Sequence, residues 1–463
     1  MTELSKAPRV AIVGAGPAGL YAADILVGQV PDAQIDVLEA LPSPFGLIRY
    51  GVAPDHPRIK SIVDSLHQIL DRGNVRFIGN LTVGSDVTLA ELRERYDVVV
   101  LATGALRDAD LDLPGIDLPG SFGAADFVAW YDSHPDYSQV WPLDAEAVAV
   151  LGNGNVALDV ARVLARRPED LARTDVPEHV LAAFKRSPVR DIHVFGRRGP
   201  AAVKFSPLEL RELGQVPGVR MLLDDRDFDL DDAAHAAMRA NGRLRQAVKT
   251  LEQWRAASED GGGDAGGTAG TRRIHLHFYW RPERIEGTGQ VTGLTMRRTA
   301  PDGLGGVVDT DELRTFEVGA VYRAVGYLGS PVEGAPFDAA AGVVPNRAGR
   351  ALDESGAAVP GLYTTGWIKR GPVGLIGSTK SDALETIASI VEDLPDLAAA
   401  PDRAPDSVIA LARSRGVEVV TWDGWLAIDA AERLRGGAEG RERAKFATRR
   451  EMTDAAVGSK KAI

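Results

Sequence analysis

The stretch RVAIVGAGPAGLYAADIL (Arg9–Leu26) decides the fold. Its apolar run Val10–Val13 reads as a buried strand, and the apolar pattern continuing through Leu26 reads as a helix. Between them stands Gly14-Ala-Gly16-Pro-Ala18-Gly19. In that context Gly14 permits the tight turn, Gly16 lets backbone approach a pyrophosphate, and Gly19 lets the helix pack closely on the strand. The helix N-terminus then faces the phosphates with its positive dipole end and free N–H groups. The next apolar segment, QIDVLEA, ends in Glu39, twenty residues after Gly19. A carboxylate at that distance takes the ribose hydroxyls of an adenosine, so the unit fits NAD or FAD.

A second stretch repeats this grammar. AVAVLGNGNVALDVARVLAR (Ala147–Arg166) runs strand, turn and helix, with Gly152, Asn153, Gly154, Asn155 and Val156 at the turn and Ala157 in the third glycine's place. Downstream, DIHVFGRRGP ends a strand in Arg197 and Arg198 where an NAD site would carry a carboxylate. Two guanidiniums there suit a 2′-phosphate, so the second turn reads as an NADP site. From Ala157 to Arg197 is forty residues, which implies a polar insertion, Arg166–Arg190, in the crossover. Two such units predict an α/β protein with two Rossmann-like three-layer nucleotide-binding domains.

Bulk properties narrow the chemistry. The chain has 463 residues, 44% hydrophobic and 25% charged, and no apolar run of membrane-spanning length. The start, MTELSKAPRVAIVGAG, passes from a short polar lead into the first strand without a signal-peptide pattern, and the expected location is cytoplasmic. There is no cysteine. Thiolate metal sites, an iron-sulfur cluster of its own and dithiol redox pairs are thereby excluded, and redox chemistry must ride on a bound cofactor. A net charge of −12 argues against nucleic acid as a partner.

Two dinucleotides on one chain are explained if one is a resident flavin and the other a visiting nicotinamide, with the protein supplying orientation and electrostatics. The flavin needs a second wall, and GLYTTGWIKRGPVGLIGSTKSDALET offers one. There a strand over Leu362–Thr365 leads to Gly366-Trp367, then Gly371-Pro-Val-Gly374, then a helix from about Leu375 through Ile390.

The ordered set PSPFGLIRYGVAPDHPRIK (Pro42–Lys60), GNGNVALDVARVLA, GRRGP, LELREL (Leu208–Leu213) and GWIKRGPVGLIG resembles the adrenodoxin-reductase-type NADPH-ferredoxin reductases, including their actinobacterial members. The resemblance runs from Arg9 into the WLAIDAAERLRG region. It implies FAD and NADP(H) as cofactors and an NADP-binding domain, residues 106–325, inserted into an FAD-binding domain made of residues 1–105 and 326–463. It implies hydride transfer from NADPH to FAD, then single electrons to a ferredoxin that supplies a haem monooxygenase or similar acceptor. Residues implied at FAD are Ala18, Glu39, Leu47, Val83, Trp367, Gly374, Leu375 and Ile376. Those implied at NADP are Arg107, Asn153–Val156, Arg197, Arg198, Glu209 and Gly374. His56, in APDHP, and Glu212 match positions near nicotinamide and flavin, where they would orient the cofactors or relay a proton. The loop AAVKFSPLEL departs from the actinobacterial pattern at Val203, Lys204 and Pro207.

A ferredoxin is usually acidic, so a local basic patch is expected despite the overall charge. MRANGRLRQAVKTLEQWRAA offers Arg239, Arg243, Arg245, Lys249 and Arg255 at helical spacings. The following glycine-rich stretch, Ala257–Gly270, reads as a mobile loop. The chain is expected to be a monomer. An NADPH-dependent quinone reductase or diaphorase on the same scaffold is the enzymatic alternative, and a non-catalytic NADP sensor the binding one.

Overall fold

The computed structural model describes residues 7–260, 271–374 and 376–458. It divides the chain into two compact units. The first comprises Met1–Arg107, Asp132–Asp136 and Tyr327–Ile463, and the second Asp108–Tyr131 and Tyr137–Gly326.

In the first unit five parallel strands stand in the order Ala358–Thr364, Val98–Leu101, Arg9–Val13, Gln34–Leu38, Val75–Gly79. Short antiparallel strands close both edges. Arg9–Val13 is buried along its whole length, as a parallel strand covered on both faces must be. Alternate side chains serve two cores. Val10, Ile12, Val98 and Val100 pack with the helices Pro17–Gln29, Val63–Leu70 and Ile376–Asp393, while Ala11, Val13, Val99 and Leu101 pack on the opposite face.

The second unit carries six parallel strands in the order Ser121–Gly123, Ala320–Arg323, Ala147–Leu151, Asp191–Gly196, Arg272–Phe278, Val219–Leu223. A separate antiparallel sheet holds Trp280–Glu286, Gly293–Pro301 and Val307–Phe316. The polar insertion folds as two helices, Pro168–Leu171 and Glu178–Arg186.

The sequence reading made no provision for residues 132–136 in the first unit. Side chains distant along the chain hold them there. Lys445 Nζ donates to the Asp132 carbonyl at 3.0 Å and lies 3.3 Å from its carboxylate, Lys60 Nζ reaches the same carboxylate at 3.3 Å, and Arg449 pairs with Asp136 at 2.6 Å. Within this segment the His134 ring lies 4.9 Å from that of Tyr50.

Burial, above all, takes the His134 pKa down to about 4. Below the unfolded value near 6.5, the unfolded chain binds a proton that the folded one refuses, so stability falls as pH drops through that window. The expected loss is about 2 kcal/mol by pH 5. Urea midpoints of the wild type and of His134→Gln at pH 7 and pH 5 measure it, the substitution shrinking the difference by about 2 kcal/mol while the other buried histidines keep their share.

Candidate functional site

In each unit the residues singled out in the sequence gather at the carboxyl ends of parallel strands, the edge where open α/β sheets bind ligands. Gly14 follows Val13, Glu39 follows Leu38, and Thr365 follows Thr364. In the second unit Gly152 follows Leu151 and Arg197 follows Gly196.

The three positions of the first turn are glycine for different reasons. Gly14 has φ +112°, and a Cβ there would lie 2.4 Å from the Ala102 carbonyl oxygen. At Gly19 a Cβ would stand 2.0 Å from the Gly14 oxygen. Both are forced by the protein's own packing. Gly16 is not. Its backbone, φ −75° and ψ 178°, suits any residue, and a Cβ would meet nothing nearer than the Gly46 Cα at 4.0 Å. The fold itself therefore does not require glycine at Gly16, and the space beside it stays open at the N-cap of the helix Pro17–Gln29.

The second turn repeats the pattern. Gly152, φ +151°, would put a Cβ 2.3 Å from the Ala324 oxygen, whereas Gly154, the N-cap of the helix Asn155–Ala165, has nothing within 4 Å. Ala157 is fully buried, so its methyl fits the third position.

Glu39 closes the first cradle. Its carboxylate accepts from the Ala15 N–H at 2.8 Å and the Leu41 N–H at 3.1 Å. Burial pushes its pKa up, and these two N–H groups pull against that shift. Beside the cradle the backbone is strained: Phe45 has φ +82° and Gly46 φ +48°. Such conformations cost about 1–3 kcal/mol each at non-glycine positions and persist where the surroundings impose them. Here Phe45 N–H donates to the Ala15 oxygen at 2.8 Å and its ring meets Trp425 edge-on at 5.9 Å. That fixes the start of the helix Leu47–Tyr50.

The opposite wall is Gly366-Trp367. Gly366, φ +77°, approaches so closely that a Cβ would lie 2.5 Å from the Ala18 Cβ. Asp382 holds this turn, accepting from the Gly366 N–H, from Thr365 Oγ1 at 3.3 Å, and pairing with Lys369 at 3.0 Å. Sequence reasoning missed Asp382, because an aspartate inside a polar helical stretch resembles a solvated residue. Removing it with Asp382→Ala should free the turn and weaken FAD retention about tenfold, the worth of one charge-assisted hydrogen bond. Flavin-to-protein absorbance after gel filtration measures this.

Gly374 is exposed with φ +87°, and Ile376 begins the following helix. Leu375 lies outside the described residues. Leu47, Val83 and Trp367 are partly buried in the first unit, Arg107 is exposed at that unit's first exit, and His56 is buried.

In the second unit Arg197 is exposed and Arg198 partly so, and neither guanidinium has a protein partner among the described residues. Their backbone is held instead. Thr299 Oγ1 donates to the Arg197 carbonyl at 2.8 Å and the Tyr279 N–H to that of Arg198 at 3.4 Å. The loop after them returns to the turn, with Lys204 N–H on the Asn153 carbonyl at 3.0 Å and Ser206 N–H on Asn155 Oδ1 at 3.1 Å. Ser206 Oγ then caps the helix Pro207–Gly214 by accepting from the Glu209 N–H at 3.2 Å. Glu209 is buried 3.7 Å from Arg162, so its carboxylate is turned partly toward the protein, while Glu212 on the same helix is less buried.

An open cradle followed by a carboxylate suits the dinucleotide of FAD. The other, followed by two unpartnered arginines, suits a 2′-phosphorylated one.

Residues 8–187 match the family described as pyridine nucleotide-disulphide oxidoreductase. The NADPH-ferredoxin reductase FprA of Mycobacterium tuberculosis is 39% identical over 97% of this chain and 99% of its own. The mitochondrial NADPH:adrenodoxin oxidoreductase of Arabidopsis thaliana is 37% identical over 98% and 96%. The solved structure of Mycobacterium tuberculosis FprA in complex with NADPH superposes with a TM-score of 0.90 at 39% identity, covering 98% of this chain and all of the other. With such likeness along nearly the whole length, the chain belongs to the family of NADPH-ferredoxin and NADPH:adrenodoxin reductases.

Proposed function

We propose that this chain is an FAD-dependent NADPH-ferredoxin reductase. The observation that carries the reading is the pair of glycine turns, each with a middle position that the protein's own atoms leave open, one followed by Glu39 and the other by Arg197 and Arg198. FAD would be held by Gly14, Gly16, Ala18, Gly19 and Glu39, with Leu47, Val83, Trp367, Gly374, Leu375 and Ile376 around it. NADP would be held by Asn153–Val156, Arg197 and Arg198, with Arg107, Glu209 and Gly374. FAD held there would supply the conversion of a two-electron hydride donor into single-electron delivery.

The chain's own residues bind, orient and shield. Backbone N–H groups at the two helix N-termini face the pyrophosphates, and the arginine pair selects the phosphorylated ribose. His56 and Glu212 are assigned to orienting the reacting rings and to holding a proton at an imidazole nitrogen or a carboxylate oxygen. Without cysteine the chain cannot run a dithiol relay, so electrons leave to an external acceptor.

For that acceptor, Arg239, Arg243 and Lys249 are exposed and have no side-chain partner among the described residues, as suits an acidic protein surface. The basic stretch is not one helix. It breaks at Asn241, whose side chain accepts from the Arg243 and Leu244 N–H groups and so starts the helix Gly242–Asp260. Arg255 is paired with Asp225 at 3.1 Å and is not available in the same way.

Steady-state reduction of a ferredoxin and of a small quinone by the FAD-loaded protein with NADPH tests the reading. Higher kcat/KM on the ferredoxin supports it, and preference for the quinone overturns it.

A further inference from the structure

We propose that His193, His275 and His277 form a binding site for one divalent transition-metal ion, apart from the glycine turns. Three of the chain's eight histidines meet here. His275 and His277 are two residues apart on the strand Arg272–Phe278, so both point to one face. The neighbouring parallel strand is registered with His193 opposite His275, which brings a third imidazole to that face.

The three rings lie nearly parallel, with interplanar angles of 4–19° and centroids 4.3–6.0 Å apart, so rotation about their Cβ–Cγ bonds would turn the nitrogens onto a common ion. One ligand nitrogen from each ring lies within 4.8 Å of the others, and His193 Nδ1 stands 2.9 Å from His277 Nε2. Metal–nitrogen bonds of about 2.0–2.1 Å in a tetrahedral set place ligand nitrogens roughly 3.3 Å apart, so the ion would replace the hydrogen bond between His193 Nδ1 and His277 Nε2 with an opening of about 0.4 Å at that pair. Asp191 Oδ1 lies 2.7 Å from His275 Nε2. A carboxylate on a ligating imidazole fixes its ring and tautomer and brings negative charge toward the cation.

The ring environment favours neutral imidazole, the form that binds metal. Burial first, and the neighbouring His275 second, take the His193 pKa down to about 3, and burial sends His277 well below its ordinary value. Three guanidiniums oppose a dication: Arg273, which is itself held by Asp191 at 2.6 Å, Arg298, held by Asp227 at 2.6 Å, and Arg314, which lies over the Phe316 ring beside His277. They favour an anion, such as hydroxide or chloride, as the fourth ligand. With no cysteine anywhere, the donor set is nitrogen and oxygen, which suits zinc, nickel or copper(II).

The test is zinc chloride titrated calorimetrically into the purified flavin-loaded full chain, with bound metal counted after dialysis. One zinc per chain is expected, with affinity lowered at least 100-fold in His193→Asn and in His277→Asn. His235→Asn, at an exposed histidine outside the cluster, should bind as the wild type does. Unchanged flavin content and melting temperature of the variants without zinc show that they fold. X-ray absorption of the zinc-loaded wild type, reading imidazole scattering from three ligands, gives the same answer if a variant does not fold. The proposal is overturned if the wild type takes up no zinc, if the two cluster variants keep it, or if the spectrum shows fewer than three imidazoles.

Discussion

Replacing Arg197 and Arg198 together with alanine raises the KM for NADPH by about 100- to 10,000-fold, from two charge-assisted hydrogen bonds at roughly 1.5–3 kcal/mol each. The KM for NADH, which lacks the 2′-phosphate, should change by less than about threefold, and kcat with NADPH should stay near its original value because the lost interaction is made equally in ground and transition states. The structure makes this a clean experiment. Neither guanidinium bonds to the protein among the described residues, so truncation orphans no buried group. Thr299 and the Tyr279 N–H hold the backbone carbonyls and remain in place. Steady-state kinetics with both nucleotides decide it. An equal loss on NADPH and NADH would mean that the pair supports the loop, and no loss on NADPH would move the 2′-phosphate elsewhere.

Gly16→Val should give a folded protein without flavin. The backbone at Gly16 tolerates a side chain, and the space beside it is open up to the Gly46 Cα at 4.0 Å. A valine there fills the space where a pyrophosphate would approach the helix N-terminus. Losing two or more charge-assisted contacts costs about 4 kcal/mol, roughly 1000-fold in FAD affinity. Gly14→Val is the informative contrast. Its side chain would meet the Ala102 carbonyl at 2.4 Å in a backbone conformation reserved for glycine, so it should compromise folding itself. Far-ultraviolet circular dichroism and flavin absorbance per chain separate the two outcomes. Full flavin content in folded Gly16→Val would refute the assignment of this cradle to FAD.

What was legible in the sequence was local. Strand, glycine turn, helix and the acidic or basic residue after the next strand all lie within one supersecondary unit, and short-range sterics tie them together. The polar insertion of Arg166–Arg190 was legible for the same reason, as an excess of chain between two recognisable ends. What was missed depends on partners far along the chain. The return of residues 132–136 to the first unit rests on Lys445 and Arg449, more than three hundred residues away, and nothing in the local sequence announces them. The role of Asp382 appears only when its helix lies against Gly366. The histidine cluster is intermediate: His-x-His at 275 and 277 shows on the page, but the third ring arrives through the register of a parallel pair eighty residues apart. Asn241 was a local signal passed over, since asparagine followed by glycine commonly interrupts a helix and caps the next.

The central claim is that the cradle ending in Glu39 holds a flavin which NADPH, bound through Arg197 and Arg198, reduces. The most direct measurement is anaerobic rapid mixing of the flavin-loaded protein with limiting NADPH or NADH while the flavin's visible absorbance is followed. The account predicts stoichiometric bleaching by NADPH, at a rate well above that with the same concentration of NADH. A flavin that stays oxidised under NADPH, or one bleached equally fast by both nucleotides, would contradict it.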